Sequence, residues 1–278
     1  MDVITSIQDV RTRRWADPAL TWGLVPTMGT LHDGHLSLVR RAKAENDRVG
    51  VSIFVNPIQF DRREDLAAYP RQLARDCTML AAEGVDLVWA PSEDEVYPFG
   101  YQTYIMVEEV TKVLEGAARR GHFRGVTTIV AKLFNVFQPT RAYFGQKDAQ
   151  QAAVIRQMGR DLAFNLELVI CPIVRERDGL AMSSRNVRLN PDERKAALVL
   201  YRALKAAEAD WLSGQRDGDH LRSTMSTVIA AEPLARLDYV SAADPVTLQE
   251  IHGSADHALL SMAVFVGPVR LIDNLVLG

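Results

Sequence analysis

The sequence predicts an α/β fold, a doubly wound parallel sheet over residues 1–175 followed by a smaller α+β domain over 176–278. Three observations predict it. Short apolar runs rich in β-branched residues alternate with stretches of helical period as far as Cys171, the pattern of strands joined by crossover helices. Beyond residue 175 the texture changes to an Ala-rich helical stretch and then strand-like runs. A chain of 278 residues with 47% hydrophobic and 24% charged side chains can fill a large core and form two domains.

The elements follow in order. Ser6 to Arg14 reads as a short helix, and Trp22–Val25 as a buried strand. Leu36, Val39 and Ala42 share one face of the next helix. Val49–Val55, bounded by Asn56-Pro57, is a second buried strand. Asp61 to Pro70 is charged and aperiodic, hence an exposed loop, and Arg71 to Glu83 is a helix stopped by Gly84. Val85–Trp89 gives a third strand, and the less regular stretch from Tyr97 to Arg120 is expected to hold a strand at Thr103–Val107 and a short helix. Thr127 to Phe137 is a strongly buried helix ended by Pro139. Arg141–Phe144 and Leu166–Ile170 are strands flanking a helix from Asp148 to Arg160, which completes a Rossmann-like unit. In the second domain, Pro191 to Ser213 reads as one long helix with Asp192 and Glu193 in its first turn, where the dipole favours them. His220 to Glu232 is another helix, and Leu237–Ser241, Leu259–Val266 and Val269–Leu277 are strands, the last two joined by a Gly267-Pro268 turn.

Composition narrows the function. A net charge of −3 provides no global basic field, so nucleic acid is not an expected partner. Two cysteines, Cys77 and Cys171, lie outside any C-x-x-C or Cys/His cluster, which fits a reducing cytosol and excludes a disulfide framework. The N-terminus lacks a basic region followed by an apolar core, and no apolar run reaches membrane-spanning length, so a cytoplasmic protein without a membrane partner is expected.

The chemistry gathers at Pro26–His35. This stretch joins the first buried strand to the following helix and places His32 and His35 at the helix start, with Gly29 and Gly34 allowing close backbone approach. Unpaired N–H groups, the helix dipole and two imidazoles together suit an anion, so the stretch reads as a phosphate site without a Walker lysine; the alternative is a polar loop with glycines for turning. Gly145-Gln146-Lys147-Asp148 follows a strand end, where open α/β sheets bind ligands. Met182-Ser183-Ser184-Arg185 offers two hydroxyls and a guanidinium to phosphate oxygens. Alone, Lys147 reads as a surface lysine and the serines as a polar loop. Together with His32 and His35 they form the ordered set of a nucleotidyl-transfer site, suited to attack on the α-phosphorus of ATP, with Mg²⁺ riding on the phosphates.

Five separated stretches, Pro26–His35, Val55–Phe60, Gly121–Val126, Met182–Asn186 and Arg270–Asn274, resemble the signatures of the pantothenate synthetase (pantoate–β-alanine ligase) family, of the HxGH nucleotidyltransferase superfamily. The resemblance implies an ATP-dependent ligase acting in two half-reactions through a pantoyl adenylate, a homodimer, and a C-terminal lid. It implies ATP binding by Met28, Gly29, Thr30, Leu31, His32, Asp33, Gly34, His35, Gly145, Gln146, Lys147, Asp148, Val174, Met182, Ser183, Ser184 and Arg185. Of these, His35, His32, Lys147, Ser183 and Arg185 are the expected catalytic groups, His35 as proton donor. Gln59 and Gln151 are expected on pantoate, and Gln59 also on β-alanine. A neutral amide can grip a carboxylate without the ion pair that would blunt its nucleophilicity. The chain departs from the family pattern at Gln146, where glutamate is expected, at Arg120, and at Asp61-Arg62-Arg63. Asp76 could help hold Mg²⁺, against the plainer reading of a surface helix carboxylate. The competing readings are another nucleotidyltransferase of the same superfold, a truncated class I aminoacyl-tRNA synthetase, and a nucleotide sensor without turnover. The synthetase would need an RNA-binding module and a basic surface.

Overall fold

The computed structural model describes Met1–Gly278. Nine strands form two sheets: β1 (Asp2–Ile4), β2 (Trp22–Thr27), β3 (Arg48–Ile53), β4 (Leu87–Trp89), β5 (Arg141–Gly145) and β6 (Glu167–Cys171) in one, β7 (Ala235–Ala243), β8 (Ala258–Val266) and β9 (Val269–Leu277) in the other. The helices are α1 (Ile7–Trp15), α2 (Asp33–Glu45), α3 (Arg63–Ala67), α4 (Leu73–Ala82), α5 (Glu93–Val96), α6 (Leu114–Ala118), α7 (His122–Phe137), α8 (Ala149–Asp161), α9 (Pro191–Ala196), α10 (Val199–Leu212) and α11 (Gly218–Ala230). The chain divides into two compact units, Met1–Gly145 with Val154–Cys171, and Gln146–Ala153 with Pro172–Gly278.

In the first unit all neighbouring strands are parallel, in the order β1-β4-β3-β2-β5-β6. The chain steps outward from β2 to β3 and β4, then returns to lay β5 on the other side of β2. This reversal makes a topological switch point beyond the carboxyl ends of β2 and β5, the place where such sheets bind ligands. Parallel strands are covered on both faces and therefore read as continuous apolar runs. Leu24, Val25, Val49 and Val51 are accordingly fully buried. Leu36, Val39 and Ala42 of α2 pack with Val25, Val51, Leu80 and Val88.

The second sheet is antiparallel, with β8 in the middle. Leu260, Met262, Val264 and Val266 alternate along β8 and share one core with Leu200, Leu204, Ala207 and Trp211 of α10 and with Leu221, Met225 and Ile229 of α11. The periods of two and 3.6 thus meet on one face each.

Four expectations are corrected. Thr103–Val107 is not a strand: the Ile105 N–H donates to Thr128 Oγ1 (3.0 Å) and its carbonyl accepts from Thr127 Oγ1, so side chains of α7 take the groups a ladder would use. Residues 61–70 hold the five-residue α3, wholly without buried side chains. Pro191–Ser213 is two helices, because Leu198 and Leu200 donate to carbonyls three residues back (Lys195 and Ala197) and tighten the spiral between them. The structure also adds β1, too short for a periodic signal, and begins α7 at His122 rather than Thr127.

Candidate active site

In the first unit the site is built on the turn from β2 into α2. Gly29 has φ +81°, a left-handed conformation that glycine tolerates, and a Cβ there would lie 3.0 Å from Asp76 Oδ2. Thr30, with φ 56°, holds the same uncommon conformation with a side chain. Asp76 explains how. Its carboxylate accepts from the Thr30 N–H at 2.7 Å and from the Leu31 N–H at 2.9 Å, while Thr30 Oγ1 donates to the Pro70 carbonyl. Asp76 is 0% exposed, which overturns its reading as a surface carboxylate. Both oxygens serve the backbone of the loop.

His32 is the N-cap of α2. Its Nδ1 accepts from the Gly34 N–H at 3.1 Å, and His35 Nδ1 accepts from the His32 N–H at 3.4 Å, a capping box made of two imidazoles. Their centroids lie 4.1 Å apart. An acceptor at Nδ1 places the proton of each neutral ring on Nε2. The turn therefore presents two imidazole donors beside the positive end of a 13-residue helix.

Gln59 is held in a separate buried network of the same unit. Asn56 Nδ2 donates to Gln59 Oε1 (2.9 Å) and to the Gly125 carbonyl (3.1 Å), and the Tyr97 hydroxyl donates to Asn56 Oδ1 (2.7 Å). His122 Nδ1 lies 2.8 Å from the Gln59 carbonyl. With Oε1 occupied, the Gln59 amide is fixed as a donor, and Nε2 lies 3.0 Å from Met28 Sδ, a weak acceptor that a substrate oxygen can replace. Burial raises the Tyr97 phenol far above its usual range and keeps it a donor. Gly125 permits the close fit: a Cβ there would meet the Ile58 carbonyl oxygen at 2.4 Å.

In the second unit a 3₁₀ turn at Gln146–Asp148 carries Lys147, whose Nζ is 3.5 Å from Asp148 Oδ1. Lys147 lines a small cleft with Ser183, Arg185, Arg270 and Asp273. Val174 and Met182 face each other in a tight hairpin, the Met182 N–H donating to the Val174 carbonyl. Arg175 donates to both oxygens of Asp273 (2.7 and 2.9 Å) and lies over the Tyr201 ring. Burial pushes the Asp273 carboxyl above the usual carboxylate range, and Arg175 opposes that rise. Ser183 Oγ accepts from the Arg185 N–H, and Arg185 Nη1 donates to the Arg270 carbonyl at 3.3 Å. Ser184 and Gln151 are half-buried.

Each unit thus gathers its own subset. His32, His35, Met28 and Gln59 belong to the first, and Gln146, Lys147, Asp148, Gln151, Val174 and Met182–Arg185 to the second. Sequence reasoning gave no role to the residues that hold them: Asn56, Tyr97, His122, Arg175, Asp273 and Asn274. Asn56, His122, Asp273 and Asn274 lie inside the stretches that carry the family resemblance, which was the available signal. No group of three or more His, Cys, Asp or Glu side chains converges on a metal position.

The pantoate–β-alanine ligase family description matches residues 2–276. The chain is 60% identical over 277 residues to the pantothenate synthetase of Roseiflexus sp. strain RS-1, covering 100% of this chain and 99% of that protein. It is 57% identical over 280 residues to the pantothenate synthetase of Herpetosiphon aurantiacus, covering all of both. The crystal structure of pantothenate synthetase from Thermus thermophilus superposes with a TM-score of 0.93 at 46% identity over 99% of each chain. That of pantoate-β-alanine ligase from Francisella tularensis, complexed with β-γ ATP and β-alanine, gives 0.80 at 35% identity over 99% of this chain and 97% of that one.

Proposed function

The chain belongs to the pantoate–β-alanine ligase family, and from that membership we propose how its residues divide the work of the reaction. The reaction is the ATP-dependent condensation of (R)-pantoate with β-alanine to give pantothenate, AMP and pyrophosphate. In the first half, a pantoate carboxylate oxygen attacks the α-phosphorus, the bond to the bridging β-phosphate oxygen breaks, and pyrophosphate leaves. In the second, the β-alanine amine attacks the pantoyl carbonyl, AMP leaves, and the nitrogen gives up a proton. Another nucleotidyltransferase of the same superfold is not favoured, because the family match spans residues 2–276.

The observation that carries the division is the paired imidazole cap. Two Nε2–H donors beside a helix N-terminus suit phosphate oxygens that gain charge as the α-phosphorus is attacked. His35 is assigned as proton donor through Nε2. Lys147, Ser183 and Arg185 act on the same phosphates, supported by their shared cleft, and Gln146, Asp148, Val174, Met182 and Ser184 bind the nucleotide around them. Gln59 donates to pantoate and meets β-alanine, and Gln151 also grips pantoate. Mg²⁺ would travel on the phosphates: both oxygens of Asp76 are committed to backbone donors, and Asp148 is the exposed carboxylate beside Lys147. Bound there, the ion would screen phosphate charge. The lid role of residues after 176 and a homodimer are proposed on the family resemblance, and exposed Phe99, Tyr104 and Met106 supply apolar surface for a second copy. No helix is long and apolar enough to cross a membrane, and a cytoplasmic setting is proposed from the two free cysteines. Exchange of labelled pyrophosphate into ATP tests the reading. It should require pantoate and ignore β-alanine and other amino acids; exchange driven by an amino acid, or by no acid, refutes it.

A further inference from the structure

We propose that Asn274 is a positioning residue for Lys147, acting through the backbone of the turn that carries the lysine; this rests on the proposed role of Lys147 at the phosphates. Asn274 lies on β9 opposite Ser261 of β8 and is 2% exposed. Its Nδ2 donates to two successive carbonyls, Gln146 at 3.0 Å and Lys147 at 2.9 Å. Its Oδ1 accepts from Gln146 Nε2 at 3.1 Å. Both ends of the amide are therefore committed to one 3₁₀ turn.

The orientation of that amide is over-determined. Rotated by half a turn, it would set its oxygen against two carbonyl oxygens and its NH₂ against the NH₂ of Gln146, losing all three bonds. A lysine side chain has four rotatable bonds, so its ammonium can be aimed only if the backbone at its root is fixed. Holding the carbonyls on both sides of the Lys147 nitrogen and α-carbon fixes that root. The neighbouring residues of β9 anchor the rest of the same cleft: Asp273 holds Arg175, and the Arg270 carbonyl holds Arg185. Asn274 is thereby one of three attachments made by a single strand, and the one that serves the lysine.

Asn274→Ala removes all three bonds. Asn274→Asp keeps the shape but loses both donors and places acceptors before two carbonyls. Pyrophosphate release in a single turnover, ATP affinity and urea unfolding are measured for these variants, for Lys147→Ala, and for the double variant Lys147→Ala/Asn274→Ala. We expect the adenylation rate of both Asn274 variants to fall by about tenfold or more, as for a misplaced reacting group. The double variant should be no slower than Lys147→Ala alone, since residues acting through one another are non-additive. If the Asn274 changes destabilise the fold, the rates are compared at a temperature at which every variant is fully folded, where the same fall and the same non-additivity with Lys147→Ala are expected. An unchanged rate in the Asn274 variants, or full additivity in the double variant, overturns the proposal. A normal rate in Lys147→Ala overturns instead the assignment of Lys147 on which it rests.

Discussion

Replacing Asp76 with asparagine probes how the histidine turn is held. The carboxylate accepts two backbone N–H groups, at 2.7 and 2.9 Å, in a fully buried position. Hydrogen bonds to a charged group contribute about 1.5–3 kcal/mol each. Asparagine is nearly isosteric, keeps one acceptor, and turns an NH₂ toward the second N–H, leaving that donor unpaired. The expected loss of stability is therefore about 2–3 kcal/mol, read as a lower urea midpoint. Thr30 is held at φ 56°, in a region that costs a side-chain residue on the order of 1–3 kcal/mol. Once one clamp is released, Thr30 relaxes toward negative φ and carries His32 with it. A displacement of about 1 Å at a group touching the reacting atoms costs on the order of 10²-fold in rate. Single-turnover pyrophosphate release should accordingly slow by roughly 10- to 100-fold in the folded variant. An Asp76→Asn protein with both the native urea midpoint and the native rate would show that the clamp is dispensable.

Three other perturbations separate electrostatics, recognition and packing. His35→Ala should lower kcat for adenylation by roughly 10²-fold, the scale of a lost electrostatic donor, whereas Gln151→Ala should mainly raise the KM for pantoate with ATP binding retained; steady-state kinetics of the exchange reaction distinguishes them, and a Gln151→Ala enzyme that loses ATP but keeps pantoate contradicts the assignment. Tyr143 is pushed up to about 12 by burial, with the Glu45 carboxylate adding to the rise and Asn46 opposing it. An unfolded tyrosine releases its proton near pH 10, so between about pH 10 and 12 the folded chain holds a proton that the unfolded chain has lost. This contribution is complete below about pH 10 and fades as pH rises through the window. Tyr143→Phe should flatten that part of the decline in urea midpoints, and identical slopes would rule it out.

The sequence displayed what depends on continuous apolar surface. The buried strands β2, β3 and β5 and the helix faces of α2, α10 and α11 were legible because burial on one face or two leaves a period in the residues. Contacts between distant residues leave none. Asp76 looks like any helical carboxylate until the fold carries it 46 positions back to the Thr30 N–H. Thr103–Val107 has strand composition, yet the hydroxyls of Thr127 and Thr128 outcompete a ladder that has no partner strand. The break after Ala196 is invisible for a different reason: Ala197 and Leu198 keep right-handed helical angles, and only the hydrogen-bond spacing changes. The histidines, Lys147 and the Ser-Ser-Arg loop stood out as candidates because their chemistry occurs in order along the chain, whereas Asn56, Asn274 and Tyr97 act on other protein groups and carry no chemical signature of their own.

The two-imidazole cap also limits what else could stand at positions 32 and 35. Each position asks for an acceptor two bonds from Cβ, to take a backbone N–H, and for a donor on the far side of the same rigid group. Aspartate and asparagine meet the first demand but end too close to the backbone to meet the second. Lysine and arginine reach far enough but have no acceptor. Imidazole alone among these side chains spans both demands with its two nitrogens, Nδ1 taking the backbone N–H and Nε2 facing away from it across the ring. On the phosphate role proposed for the two histidines, a single substitution at either position should subtract from helix initiation and from phosphate binding at once, so that a selection relaxing only one of those demands finds no replacement.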